Sequence, residues 1–220
     1  MKRLAFVAAL AALLLSGPVP ARAFWGEPYS IGQIPVRLFA DPSMAPQCPQ
    51  DFGPYKRAAK TWSTIAGSYF EFGYRFGPRS LQDLNAEACD GKNHIEFVPI
   101  GDPHVLAVTM ITCAFGKRET GMQLNSLIPW SCSGAPGPGE IDLETVALHE
   151  MGHMLGLDHT PRERSIMYPM YMGVRRQLRN WDEEQVCTLY PIADWPAQVE
   201  RDREDPQPDG ALPGGPDPAP

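Results

Sequence analysis

The stretch His149-Glu150-Met151-Gly152-His153-Met154-Leu155-Gly156-Leu157-Asp158-His159 constrains this chain more than any other. It reads H-E-x-x-H-x-x-G-x-x-H. On a helix, residues four apart lie above one another on one face, so His149 and His153 aim two imidazoles at one point. Glu150 sits one residue round the helix, beside that point. Gly156 can take the positive φ that most residues avoid, so it can end the helix and turn the chain. The turn brings His159 back as a third nitrogen. Three imidazoles with an open fourth position describe a catalytic zinc, since a structural zinc usually has four protein ligands. A carboxylate beside the metal that need not ligate it suits a general base acting on bound water. H-E-x-x-H alone arises by chance; the added Gly and third His at fixed spacing make coincidence rare.

The flanking chain supplies a scaffold of mixed α/β (α+β) type. Ile34 to Ala40 alternates and is β-rich. Pro54 can open a helix at its first turn, and Ala58, Trp62 and Ile65 continue it at helical spacing until Gly67. Tyr69 to Phe76 places an aromatic at every second residue and reads as a half-buried strand. Pro78 to Lys92 is polar loop. His94 to Ile100, Val105 to Ala114 and Gly121 to Ile128 are three further strands. Ser131 to Gly139 is a Gly/Pro/Ser loop. Asp142 then caps the helix that carries the zinc motif, with Glu144 in its first turn. Asn180 reads as the cap of a last helix, with Glu183 three residues on and Pro191 after its end. The expected layout is a twisted sheet backed by two helices, with a small irregular C-terminal part ending in a helix.

The ends differ in kind from the middle. Lys2 and Arg3, the apolar run Leu4 to Leu15, and Ala21-Arg22-Ala23 have the form of a secretion signal with its cleavage site. Residues 1–23 are therefore expected to be removed, leaving a monomer that is secreted, extracellular or periplasmic, with no membrane attachment. Residues 24–192 form the candidate catalytic domain. Residues 193–220 hold seven prolines and several acids with almost no apolar side chains, which predicts a disordered acidic tail. The net charge of −7 gives no sign of a nucleic-acid surface. Export permits disulfides, and five cysteines allow at most two internal bridges. Cys113 and Cys132 flank strands read as adjacent and are the expected pair.

The long histidine motif resembles that of the metzincin metallopeptidases, and Met167, eight residues after His159, resembles the methionine of their turn beneath the metal. Within that clan the chain is most similar to the matrixins. Thr160 follows the third His, Ser165-Ile166-Met167-Tyr168-Pro169 looks like the matrixin Met-turn, and Pro169-Met170-Tyr171 matches a Pro-x-Tyr wall. Where astacins and serralysins place a metal-binding Tyr, this chain has Pro169. Asp182 and Leu189-Tyr190 resemble the family's last helix. The resemblance implies a metzincin-type twisted mixed sheet backed by two long helices. It implies one catalytic zinc on His149, His153 and His159, with Glu150 as general base in the hydrolysis of a protein or peptide substrate. It implies substrate contacts at Leu106 and Ala107 on an upper edge strand. Thr145, Pro169 and Tyr171 would line the S1′ subsite, and a small Thr145 would leave that subsite deep and apolar. No latency cysteine and no full ligand set for a second zinc are recognisable, since only His94 and His104 remain. Asp83, Asp90 and Asp102 form no calcium loop. The competing reading is an inactive zinc-binding or adhesion protein that keeps the fold; Glu150 argues against it.

Overall fold

The computed structural model describes residues 8–12, 28–40, 48, 52–74, 86–87, 89–113 and 118–192. Most of the expected secretion signal, residues 75–76 of the aromatic strand and the whole expected tail lie outside the described residues. The fold is mixed α/β. Strands β1 (Ala8–Ala12), β2 (Val36–Ala40), β3 (Phe72–Tyr74), β4 (Asn93–Val98), β5 (Ala107–Cys113) and β6 (Glu119–Asn125) form one sheet in the order β1-β5-β6-β4-β2-β3. The four strands β2, β3, β4 and β6 run parallel. β5 is antiparallel to β6, and β1 is antiparallel to β5. A two-stranded ribbon of β7 (Trp130–Ser131) and β8 (Ile141–Asp142) leads into the second helix.

Helices α1 (Gly53–Ser63) and α2 (Leu143–Leu155) pack on one another and back the sheet. Proline near its N-terminus suits α1, because the amide it lacks has no helical partner there. Ala58, Ala59 and Trp62 form its buried stripe. The Trp62 indole donates to Leu148 O at 2.8 Å and fixes α1 against α2. All thirteen residues of α2 are buried, so the metal motif lies in the core and its rotamers are set by packing. Val146, Ala147, Leu148 and Met151 of α2 join Leu38, Phe72, Ile95, Met122 and Leu124 of the sheet in that core.

Three local expectations shift. The last helix, α3 (Asn180–Leu189), is capped at Arg179 rather than Asn180, and the acid that reaches back is Asp182, which accepts Arg179 N at 2.9 Å. The strand expected over Gly121 to Ile128 is β6, displaced towards the N-terminus. The disulfides pair Cys48 with Cys132 and Cys89 with Cys113, leaving Cys187 buried and free. The expected Cys113–Cys132 bridge fails on strand direction. Cys113 stands opposite Glu119 at the start of β6, whereas Cys132 follows the end of β6, so the two lie at opposite ends of the hairpin.

Candidate metal centre and substrate cleft

The centre is assembled by two local devices. Asp142 caps α2 by accepting Thr145 N at 3.0 Å. At the other end Gly156 adopts φ 112°, a left-handed conformation that a side chain disfavours. Leu157 N then closes on Gly152 O at 3.0 Å, and the chain reverses. His149, His153 and His159 are thereby brought together, with Nε2 atoms 3.1 to 3.2 Å apart pairwise.

The Nε2 atoms of His149 and His153 cannot bond to one another in the neutral state. His149 Nδ1 lies 2.6 Å from Ile166 O, and His153 Nδ1 lies 2.8 Å from Leu157 O. A carbonyl only accepts, so each Nδ1 carries the proton and each Nε2 presents a lone pair. Burial favours the neutral form: it pushes His149 down to about 3, with His159 contributing, and it lowers His153 and His159 as well. Converging lone pairs in a buried site need a cation. Zinc bonds of about 2.0–2.1 Å in tetrahedral geometry place ligand nitrogens about 3.3 Å apart, close to the spacing found. The donor set therefore fits one zinc, and the carbonyls on Nδ1 are the outer partners such ligands require.

Glu150 is wholly buried beside the triad. Burial raises its pKa to about 8, against the opposing effect of a hydrogen bond from Thr109. Thr109 on β5 donates to Glu150 Oε2 at 2.6 Å, while Glu150 Oε1 has no partner. A cation at the imidazoles would favour the ionised carboxylate. Met167 is buried under the centre. A Cβ on Gly152 would come within 2.3 Å of its sulfur, so the second variable residue of the motif must be small. The turn is held by Asp182, which accepts from Ser165 Oγ and, at 3.2 Å, from Ile166 N. Thr160 N bonds Met167 O at 3.0 Å and ties the turn to the segment just after His159.

The other expected site residues distribute unevenly. Thr145 and Tyr171 line a cavity beside His149, together with Ile166, Tyr168 and Arg175. Pro169 is buried and does not line it; Leu106 and Ala107 lie buried at the start of β5. The cavity measures about 10 Å³, room for about one water. Thr145 Oγ1 donates to Asp142 Oδ2 at 2.7 Å and accepts Arg175 N at 2.8 Å, which draws the following loop against α2. Tyr171 Oη accepts Asp142 N at 3.0 Å, fixing the wall to the same cap. Burial would raise the Asp142 carboxyl, but bonds from Arg176 and Thr145 outweigh it and hold it below the usual range. Of the remaining histidines, His94 is buried with Nε2 3.1 Å from Asp90, and His104 is exposed.

Thr109, Asp182, Arg175 and Arg118 are the supporting residues whose roles the sequence did not disclose. Arg118 donates to His153 O and Met154 O, satisfying carbonyls at the end of α2. Only Asp182 carried any signal, as an acid in the first turn of a helix that resembles the family's last one.

Comparison with known proteins bears on this geometry. A family model described as Matrixin matches residues 56–191. Karilysin of Tannerella forsythia is 48% identical over 61 residues, covering 28% of this chain and 12% of that protein. Metalloendoproteinase 2-MMP of Arabidopsis thaliana is 31% identical over 143 residues, covering 62% of this chain and 36% of that protein. Metalloendoproteinase 1 of Glycine max is 32% identical over 147 residues, covering 62% of this chain and 44% of that protein. The chain thus spans less than half the length of each.

Proposed function

The chain belongs to the matrixin family, and from that premise we propose that it is a zinc-dependent endopeptidase acting on extended protein substrates, with Glu150 as general base. The observation that carries the reading is the convergence of three imidazole Nε2 atoms, those of His149 and His153 unprotonated, beside a buried carboxylate with one free oxygen.

His149, His153 and His159 would hold the metal. Zinc there supplies a Lewis acid that polarises the scissile carbonyl and acidifies a water. Glu150 takes the proton from the attacking water and returns it to the leaving amine. Thr109 holds one Glu150 oxygen, which leaves the other for that transfer. The low dielectric around Glu150 strengthens each of these interactions.

Substrate lies antiparallel along β5, as a strand added to a sheet edge. The pairing of Ala8–Ala12 with Val108 to Ile111 supports the capacity of this edge to accept one. Leu106 and Ala107 begin that edge, and the P1′ side chain enters beside His149 between Thr145 and Tyr171. Residues 1–23 act as a cleaved export signal, and the mature monomer works in a periplasm or outside the cell. Their removal takes β1 off β5. Among the described residues no helix is long and apolar enough to cross a membrane.

The test is digestion of a proteome-derived peptide library by zinc-loaded wild type and Glu150→Ala, with metal content measured on both. Cleavage by wild type alone, at equal zinc, is expected. Identical patterns, or no cleavage with one zinc bound per chain, would reject the reading.

A further inference from the structure

We propose that the acidic segment Glu200-Arg201-Asp202-Arg203-Glu204-Asp205 of this chain docks into an arginine-lined cavity between the segment after His159 and the start of α3. The cavity measures about 500 Å³ and is lined by Arg162, Arg164, Arg179 and Trp181, with Glu163 and Glu184 beside them. It shares only Ser165 with the cavity beside His149, so it stands apart from the metal centre. The Arg162 guanidinium lies 5.8 Å from the centre of the Trp181 ring. That contact holds the guanidinium in place without neutralising it. Among the described residues neither Arg162 nor Arg179 forms an ion pair, with Glu163 and Glu184 or with any other acid.

Reach and charge identify the occupant. The chain leaves α3 at Leu189, and Ile192 N is tied to Gly67 O at 3.2 Å. The cavity lies at the other end of α3, whose ten residues span about 15 Å. An extended chain advances about 3.3 Å per residue. The step from Ile192 to Glu200 therefore covers about 26 Å, enough to run back along the helix. Residues 193–220 carry seven acidic side chains against two arginines. In an extended chain alternate side chains share a face, so Glu200, Asp202 and Glu204 present a row of carboxylates. That row matches the three guanidiniums of the cavity, and arginine–carboxylate pairs are strongest where both groups are held in planar register. Single exposed pairs contribute little, but a tethered segment acts at about millimolar effective concentration. The docked segment would brace residues 162–165, which join His159 to the turn that carries Met167.

The experiment follows hydrogen–deuterium exchange at residues 162–165 and 180–184 in the full chain. The comparison is a full-length variant with a neutralised segment, Glu200→Gln/Asp202→Asn/Glu204→Gln. Exchange at these residues is expected to quicken about fivefold or more in the variant. The same gain is expected in wild type when salt rises from about 0.1 M to about 1 M, which shortens the Debye length from about 10 Å to about 3 Å. Arg162→Glu should also lose the protection, and Glu200→Lys/Asp202→Lys/Glu204→Lys in that background should recover part of it, as a merely structural defect would not. If Arg162→Glu does not fold, the neutralised variant and the salt series decide alone. Equal exchange in wild type and the neutralised variant overturns the proposal, as does protection that survives about 1 M salt. Protection lost on dilution overturns it too, because the carboxylates would then come from a second copy of the chain. None of these readouts depends on peptide cleavage, so the outcome stands apart from the endopeptidase reading.

Discussion

Gly152→Ala offers a test in which two effects of opposite sign compete. In an ordinary helix interior the change stabilises by about 0.5–1 kcal/mol, because alanine loses less backbone entropy than glycine. Here the added Cβ would stand 2.3 Å from Met167 Sδ, 3.1 Å from Met167 Cε and 3.0 Å from Trp62 Cζ2. Neither neighbour yields easily. Met167 and Trp62 are both fully buried, and the Trp62 indole is pinned to Leu148 O. Overpacking in such a core costs about 1–3 kcal/mol, which exceeds the propensity gain. Net destabilisation of about 1 kcal/mol or more is expected, lowering Tm by about 2–4 °C in a domain of this size. Urea or thermal melts of the zinc-free protein measure it directly. Met167→Val should recover part of the loss in the Gly152→Ala background but cost stability alone, giving a favourable coupling in a double-mutant cycle. A Gly152→Ala melt at or above the wild-type temperature would refute the close approach of helix and turn.

Four further outcomes follow from the same contacts. Thr109→Val keeps the shape but removes the donor to Glu150; kcat should fall about 10- to 100-fold with KM little changed, and Thr109→Ser should restore most of it. Asp182→Ala leaves Ser165 Oγ, Ile166 N and Arg179 N without their acceptor, and chemical denaturation should register a loss of about 3 kcal/mol. Zinc-free protein should weaken in acid: burial, with His159 assisting, holds His149 near pKa 3 against about 6.5 unfolded. Below pH 6.5 the unfolded chain takes up protons that the fold refuses. At pH 5 this group alone removes about 2 kcal/mol, and an unchanged urea midpoint between pH 7.5 and pH 5 would contradict it. Finally, a chain retaining residues 1–23 should cleave peptides more slowly than one beginning at Phe24, because β1 occupies the edge of β5; equal rates would show that this edge is not where substrate pairs.

The features legible in the sequence are those set by neighbours along the chain. The i, i+4 pair His149 and His153, the left-handed Gly156 and the Asp142 cap each depend on residues within one or two helical turns, so their spacing alone announces them. The buried stripe of α1 is of the same kind. Strand limits were less legible. β4 is buried at nearly every position and shows no alternation, since a central parallel strand is covered on both faces. Disulfide pairing was not legible at all. It depends on which end of a hairpin each cysteine occupies.

Asp182 shows why such supporting residues escape a reading by motif. Burial pushes its carboxyl pKa upward, while bonds from Ser165, Arg179 and the turn backbone pull the other way. An acid in that setting is costly unless each lone pair is used. In the fold it accepts from the Met-turn on one side and from the amide that begins α3 on the other. One side chain therefore fixes the height of Met167 under the histidine triad and the start of the last helix together. In sequence the same residue is an acid in a helix first turn, a position where acids are favoured on any helix. What separates a surface cap from a buried anchor is the partner seventeen residues upstream, at Ser165. That partner is identifiable only once the chain has folded the turn against the helix.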